Sequence, residues 1–109
     1  MRRKGPPALG RAARLAAIDI GSNALRLRVA DVDPPSPGPG GDHFAAFREV
    51  LAERAAVRLG SDVFSQGAIA PSGLAGACNA LRRFVGSMRS VGVERYRAVA
   101  TSAVREASN

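Results

Sequence analysis

The spacing of apolar residues near the start of the chain predicts two neighbouring strands. Leu15 to Ile20 is an almost continuous apolar run, which is typical of a buried strand. From Ala24 to Val32 apolar residues occupy every second position and arginines lie between them, which is typical of a half-buried strand. The polar segment Gly21 to Asn23 separates the two runs, so it predicts a turn.

The middle of the chain predicts a loop, a third strand and a second loop. Asp33 to Asp42 contains four prolines and three glycines, which is incompatible with regular structure. Phe44 to Val57 alternates imperfectly, and its alanines and glutamates would also suit a helix. We expect a strand that pairs back onto the second strand. Arg58 to Asp62 is expected to be a loop.

A long amphipathic helix is predicted from Pro71 to the neighbourhood of Gly92. Proline suits the first helical position, and glycine suits a helix end. Between them the apolar residues recur at helical spacing and form one stripe. Its members are Leu74, Ala77, Cys78, Leu81, Phe84, Val85, Met88 and Val91. The stripe favours a core role for Cys78 over a nucleophilic one.

The remaining pattern completes an α/β fold. Tyr96 to Ala100 is expected to be a strand, and Ser102 can cap a helix that runs through Asn109. The order is therefore strand, strand, strand, helix, strand, helix, which predicts a sheet with helices packed on it.

Size and composition narrow the class of protein. The 109 residues suffice for one small domain, and the single cysteine excludes an internal disulfide and fits a reducing compartment. No apolar run is long enough to span a bilayer, so no membrane association is expected. The basic start resembles a signal peptide, but Asp19 interrupts the apolar run that follows. We therefore expect a cytoplasmic protein.

The net charge of +7 is concentrated at the beginning of the chain. Five of the 16 basic residues and none of the acidic ones lie in residues 1–14, which also contain glycine and proline. We expect residues 1–14 to form a basic disordered tail and residues 15–109 to form the folded part. The tail lacks interleaved aromatic residues, which disfavours nucleic acid as a partner.

The first candidate site is the turn that follows the first strand. Gly21 permits close approach of the backbone to an anion, while Ser22 and Asn23 offer donors and consecutive N–H groups. Asp19 at the strand end could organise water around Mg²⁺, which prefers oxygen ligands. On spacing alone an ordinary hairpin turn is the simpler interpretation, because these are favoured turn residues.

The second candidate site lies where the last strand gives way to the last predicted helix. Thr101 and Ser102 stand at the helix start, where free N–H groups favour anions, and Arg105 in the first turn adds a guanidinium suited to phosphate. An ordinary cap beside a surface arginine explains the pattern equally well. Weaker candidates are an exposed arginine near each loop, a histidine without partners and three glutamates that could act as bases: Arg26, Arg58, His43, Glu49, Glu53 and Glu106.

Three stretches together resemble the exopolyphosphatase/guanosine pentaphosphate phosphatase (Ppx/GppA) family. Ala17 to Asn23 (AIDIGSN) resembles its first phosphate-binding loop, and Val57 to Gly60 (VRLG) resembles a loop after its third strand. Ala98 to Asn109 (AVATSAVREASN) resembles its strand-to-helix segment and is the most specific of the three. The first stretch alone would suit any member of the actin-like ATPase and sugar-kinase superfamily, which shares the fold.

The resemblance implies the N-terminal part of an actin-like ATPase (ribonuclease H-like) domain. It further implies a hydrolase that removes the terminal phosphate of polyphosphate, or the 5′ phosphate of guanosine pentaphosphate, by water attack assisted by Mg²⁺. Asp19 would organise metal-bound water. Phosphate would be held by residues of both candidate sites, namely Gly21, Ser22, Asn23, Arg26, Thr101, Ser102 and Arg105. A homodimer is compatible with the family for the full-length protein.

The sequence also departs from the family pattern. The general-base glutamate and the second glycine-rich loop of the family come later than Asn109, so we expect this chain alone to be inactive. The basic start and the proline-rich loop are additions. Two other functions stay open, a phosphotransferase of the same superfamily and a non-catalytic module that binds polyanions through its basic tail.

Overall fold

The computed structural model confirms the α/β class and each of the four predicted strands. It describes residues 12–34, 46–60, 63, 66–100 and 107–108. In chain order the elements are β1 (Ala13–Ile20), β2 (Leu25–Val32), β3 (Phe47–Ala55), α1 (Pro71–Ser90) and β4 (Arg95–Ala100). The ambiguous third segment is a strand that pairs with β2, as expected.

The strands form one mixed sheet in the order β3-β2-β1-β4. The pairs β1/β2 and β2/β3 are antiparallel, whereas β1 and β4 are parallel. It follows that β1, β3 and β4 all run in the same direction. Their carboxyl ends therefore lie along one edge of the sheet, which we call the carboxyl edge.

One face of the sheet packs against α1 and forms the core. Leu25, Leu27 and Val29 of β2 are fully buried there, together with Phe84 of α1 and Leu59 of the loop that follows β3. Burial of side chains of this size contributes about 1.5–3 kcal/mol each. The alternation seen in β2 thus separates the face that packs on α1 from the face that does not.

The opposite face, which we call the open face, is not covered by any described residue. Ala16 and Ile18 of β1 are buried in the core, but Ala17 and Asp19, which alternate with them, are exposed. The prediction of a wholly buried first strand was therefore wrong for this face. A continuous apolar run predicts that both faces of a strand can be buried. Whether the second face is buried depends on whether another layer of structure packs on it.

Helix α1 begins and ends where the sequence predicts. Pro71 is its first residue, Val91 is the C-cap, and Gly92 adopts a left-handed φ of 71°. The expected core role of Cys78 was wrong, because Cys78 is exposed. Burial is centred on Ala80, Phe84 and Met88, and Cys78 lies on the flank of that stripe. None of the helices in the described ranges has the length and apolarity that crossing a membrane requires.

Two loop and helix predictions also need correction. Arg58 and Leu59 lie in a loop as predicted, but Gly60, within the predicted loop of Arg58 to Asp62, is helical. Val63 and Gln66 beyond it are also helical, and the N–H of Gly67 donates to the carbonyl of Val63 at 2.7 Å. At the end of the chain Ala107 and Ser108 are not helical. The N–H of Ser108 instead donates to the carbonyl of Gly67 at 2.8 Å, which competes with continuation of a helix.

The expected boundary of the basic tail is too late, because β1 already begins at Ala13. The Arg14 guanidinium binds both carboxylate oxygens of Asp31, with Nε 2.7 Å from Oδ1 and Nη2 2.9 Å from Oδ2. Its remaining nitrogen, Nη1, donates a hydrogen bond to the carbonyl oxygen of Val91 at 2.8 Å. Arg14 therefore joins two strands to the end of α1, while residues 1–11 lie outside the described residues.

We predict that Asp31→Asn destabilises the protein at neutral pH and makes its stability less sensitive to acid. The hydrogen bond from Arg14 lowers the pKa of Asp31. The folded state therefore binds fewer protons, and the stabilisation is complete above the unfolded pKa of about 3.9. It is lost as the pH falls through the lower folded pKa.

Thermal unfolding between pH 2 and pH 7 (roughly the span over which carboxylates titrate) measures this effect. Asp31→Asn should lower the melting temperature at neutral pH and reduce its decline in acid. Asp33→Asn is the matched control, because Asp33 belongs to an exposed pair with Arg48 at 3.2 Å, a type that contributes little. Equal behaviour of the two variants would contradict the prediction.

Candidate functional site

The carboxyl edge brings together segments that are distant in sequence. Ile20 at the end of β1 is paired in register with Leu25 on one side and with Ala100 at the end of β4 on the other. Ala55, the last residue of β3, is paired with Leu25. In α/β proteins ligands bind outside the carboxyl ends of the strands. The turn after β1, the loop after β3 and the start of the segment after β4 therefore all leave the sheet at the edge where a ligand is expected.

The turn after β1 is tight and favours glycine at its first position. The N–H of Gly21 donates to the carbonyl of Ala24 at 3.0 Å and closes the hairpin between β1 and β2. A Cβ atom on residue 21 would lie 3.0 Å from that same carbonyl oxygen, which belongs to the backbone and cannot move aside cheaply. Ser22 and Asn23 form the tip of the turn, and Asn23 is exposed.

The loop after β3 stabilises the turn through two backbone hydrogen bonds. The N–H groups of Leu59 and Gly60 both donate to the carbonyl of Ser22, at 2.8 and 2.9 Å. Leu59 is 2% exposed and anchors this loop in the core, while Arg58 beside it is exposed. The Val57 to Gly60 stretch thus lies against the first candidate site, and its apolar anchor fixes two donors on the turn.

Asp19 and Arg26 lie directly opposite each other where β1 and β2 meet the turn. Both side chains are exposed and belong to the open face. Within the described ranges neither makes an ion pair, although the two residues are cross-strand neighbours. A carboxylate and a guanidinium are therefore available beside the turn.

The second candidate site lies outside the described residues. Its members are Thr101, Ser102 and Arg105, and His43 and Glu106 are likewise outside the described ranges. The parallel pairing of Ile20 with Ala100 nevertheless brings the residue that precedes Thr101 to the carboxyl edge. The roles of these residues stay predictions.

The two described glutamates that were considered as bases have structural partners. Glu49 accepts hydrogen bonds from Arg28, the shorter at 2.6 Å, and Glu53 accepts one from the Ser87 hydroxyl of α1 at 2.5 Å. In the part of the chain that the structure describes, no three His, Cys, Asp or Glu side chains form a cluster suited to a metal ion. Among the described residues, Asp19 is the acidic group next to the turn.

Arg54 was not among the site residues predicted from the sequence. It lies one residue before the end of β3, is exposed and is paired in register with Arg26. Its position depends on the order and register of the strands, so no local motif could have revealed it.

The fold and the carboxyl edge define part of an α/β domain of the actin-like ATPase type. The Ppx/GppA family member of Aquifex aeolicus superimposes with a TM-score of 0.74 and 28% identity, covering 90% of this chain and 29% of that one. An exopolyphosphatase from Cytophaga hutchinsonii gives a TM-score of 0.72 and 27% identity, covering 88% of this chain and 28% of that one.

Sequence comparison agrees with the structural comparison. A model of the Ppx/GppA phosphatase family matches residues 40–109. The exopolyphosphatase 2 of Mycobacterium tuberculosis is 38% identical over 96 residues, which is 88% of this chain and 28% of the relative. The chain belongs to the Ppx/GppA phosphatase family, and it spans 28% of the length of this curated relative.

We predict that Gly21→Ala disturbs the turn and lowers stability by about 1–3 kcal/mol, the usual cost of an overpacked site. The cause is the approach of the new Cβ to the carbonyl of Ala24. Denaturant unfolding measures the loss, and protection of the Leu59 and Gly60 amides from hydrogen exchange reports on the turn itself.

Gly86→Ala provides a control with the same chemical change. Gly86 lies inside α1, and a Cβ there would meet no heavy atom within 4 Å. Alanine should stabilise this helix by up to about 1 kcal/mol. A Gly21→Ala protein as stable as the parent would contradict the close contact.

Proposed function

We propose that this chain supplies the first phosphate-binding elements of a Mg²⁺-dependent phosphohydrolase that releases the terminal phosphate of inorganic polyphosphate. The observation that carries the proposal is the braced turn at the carboxyl edge, with Asp19 and Arg26 exposed beside it. Guanosine pentaphosphate is the alternative substrate for the same elements. The printed names of the relatives from Mycobacterium tuberculosis and Cytophaga hutchinsonii, both exopolyphosphatases, favour polyphosphate.

In this proposal the turn holds the terminal phosphate. Ser22 and Asn23 offer side-chain donors, and successive N–H groups of the turn form a small anion-binding concavity. The Ser22 carbonyl already accepts two hydrogen bonds from the loop after β3, so the conformation of the turn is fixed before an anion arrives. Preorganised donors of this kind stabilise the charge of a reacting phosphoryl group without reorganisation.

Cations from two segments complete the proposed phosphate site. Arg26 contributes a guanidinium from the open face, and Arg105 contributes another from the segment after β4, together with Thr101 and Ser102. A guanidinium fork matches the oxygens of phosphate in a bidentate manner.

Asp19 fits a role as a magnesium ligand. Mg²⁺ is commonly held by one or two carboxylates, with water and substrate phosphate filling the other positions. One exposed carboxylate without a partner in the described ranges, beside a phosphate-binding turn, is such a donor set. When bound, the ion would neutralise phosphate charge and orient water. In this proposal the 109-residue chain alone binds polyphosphate without hydrolysing it.

A purely electrostatic alternative assigns polyanion binding to the basic segment at the start of the chain. Its discriminating test is deletion of residues 1–11, which retains the structural Arg14. Loss of polyphosphate binding in this deletion, with Asp19 and Gly21 variants unaffected, would favour the alternative. A cytoplasmic location is proposed with the main function, on the basis of the single cysteine.

We predict opposite effects of Asp19→Asn with and without Mg²⁺. Without the ion, removal of a carboxylate from an anion site should leave pyrophosphate binding unchanged or tighter, since repulsion is lost. With Mg²⁺ the parent chain should bind more tightly, and the variant should lose most of that gain, roughly tenfold. Isothermal titration calorimetry of the 109-residue chain measures both arms.

Asp33→Asn is the control for this prediction. It removes the same charge just beyond Val32, the end of β2 that lies at the edge of the sheet opposite the turn. Its magnesium-dependent gain should match that of the parent. The proposed role of Asp19 is wrong if both variants retain the gain.

A further inference from the structure

We propose that Arg54 and Arg26 form a second anion site on the open face, which binds the phosphates that follow the terminal one in a polyphosphate chain. This inference rests on the proposed function and extends it. The terminal phosphate would lie at the Gly21 to Asn23 turn, and the chain would continue over the two guanidinium groups. Arg54 would therefore make the protein bind long polyphosphate chains more tightly than short ones.

The register of the sheet places three charged residues in one row. Asp19 of β1 is paired with Arg26 of β2, which is paired with Arg54 of β3. Because neighbouring strands lie about 4.8 Å apart, the row extends about 10 Å from Asp19. The turn begins at Gly21, two residues beyond Asp19. A bound anion could therefore pass from the turn to the arginine pair without leaving the surface.

The pairing of Arg26 with Arg54 is unfavourable unless an anion neutralises it. Like charges directly opposite on adjacent strands destabilise a sheet. Both side chains are exposed, and within the described ranges neither has an acidic partner. An oxyanion between them would replace repulsion with two charge-assisted interactions.

The other described arginines of β1, β2 and β3 differ in this respect. Arg14 binds Asp31, Arg28 binds Glu49 and Arg48 binds Asp33. On β1, β2 and β3 the described arginines away from the carboxyl edge are thus matched with carboxylates, whereas the pair nearest the edge is not. Arg95 and Arg97 of β4 share the open face and add positive potential farther from the turn.

Polyphosphate fits this pair better than an acidic protein surface does. Each phosphate of the chain carries exposed oxygens on several sides, so one extended anion can engage both guanidinium forks and the turn at once. A carboxylate side chain satisfies one fork, and a protein layer would also have to accommodate the carboxylate of Asp19. Continuity with the turn therefore favours polyphosphate.

The test compares long-chain polyphosphate with pyrophosphate as probes for the 109-residue chain in the presence of Mg²⁺. Arg54→Gln should weaken binding of long-chain polyphosphate about tenfold, the effect of one charge-assisted hydrogen bond. Pyrophosphate binding should change by less than about twofold, because its two phosphates would occupy the turn and Arg26, whereas Arg54 lies about 10 Å from Asp19 along the row. Arg54→Lys keeps the charge without the fork, so it should lie between the parent and Arg54→Gln.

Arg83→Gln is the matched control. Arg83 is an exposed residue of α1, on the other side of the sheet from the open face, and its loss changes the net charge by the same amount. Long-chain binding should fall by less than about twofold in this variant, as expected for a remote surface charge. Circular dichroism melting establishes that each variant is folded, and Arg54→Lys serves as the second test if Arg54→Gln is not.

Two results would overturn the inference while leaving the proposed function intact. One is equal affinity of the Arg54 and Arg83 variants for long-chain polyphosphate, which would assign the pair to a protein contact or to no ligand. The other is an equal loss of pyrophosphate and long-chain binding in Arg54→Gln, which would place Arg54 at the terminal phosphate. Failure of the proposed function has a different signature, because Asp19→Asn and Gly21→Ala would then leave pyrophosphate binding unchanged.

Discussion

The parallel alignment of β4 with β1 is the constraint on which the candidate site depends. Backbone hydrogen bonds hold residues Leu15 to Ile20 of β1 in register with residues Arg95 to Ala100 of β4. This alignment delivers the ends of two segments, separated by about 80 positions in the sequence, to one edge of the sheet. The antiparallel pairing of β2 with both β1 and β3 brings the loop after β3 to the same edge. Chemistry-bearing residues are therefore collected by strand direction and not by proximity in sequence.

Stability of the core and shape of the site are linked through the loop after β3. Leu59 is buried between the sheet and α1, and its own N–H donates to the carbonyl of Ser22. The adjacent Gly60 donates to the same oxygen, so the turn is held by a residue whose position is set by core packing. Displacement of Leu59 would leave a cavity in the core, which is unfavourable. Packing of the core therefore opposes distortion of the turn.

Local patterns predicted the elements, but not how the sheet assembles. The alternation in β2 and the Pro71 to Gly92 frame of α1 have local causes, so the sequence was sufficient for both. The exposure of Cys78 and the open face of β1 depend on which layers pack where, and the adjacency of Arg26 and Arg54 depends on register. Those features are non-local. The Gly21 to Asn23 turn was predicted as a candidate site. The N–H groups that brace it belong to Leu59 and Gly60, and the sequence marked these residues only through the resemblance of Val57 to Gly60 to a loop of the family.

On β1, β2 and β3 the pairing of arginines with carboxylates depends on distance from the carboxyl edge. Arg14, Arg28 and Arg48 each have a carboxylate partner, and these pairs join strands or tie a strand to the end of α1. At the edge the balance changes, since Arg26 and Arg54 outnumber Asp19. Solvent screens such exposed charges, so the repulsion costs little in the free protein. A polyanion that excludes water from the row would strengthen the attraction to both arginines, and it would equally strengthen its repulsion from Asp19. In the proposed site, a divalent cation between the carboxylate and the phosphate would relieve that repulsion. The proposed function therefore expects the metal and the polyanion to bind together more favourably than either one alone.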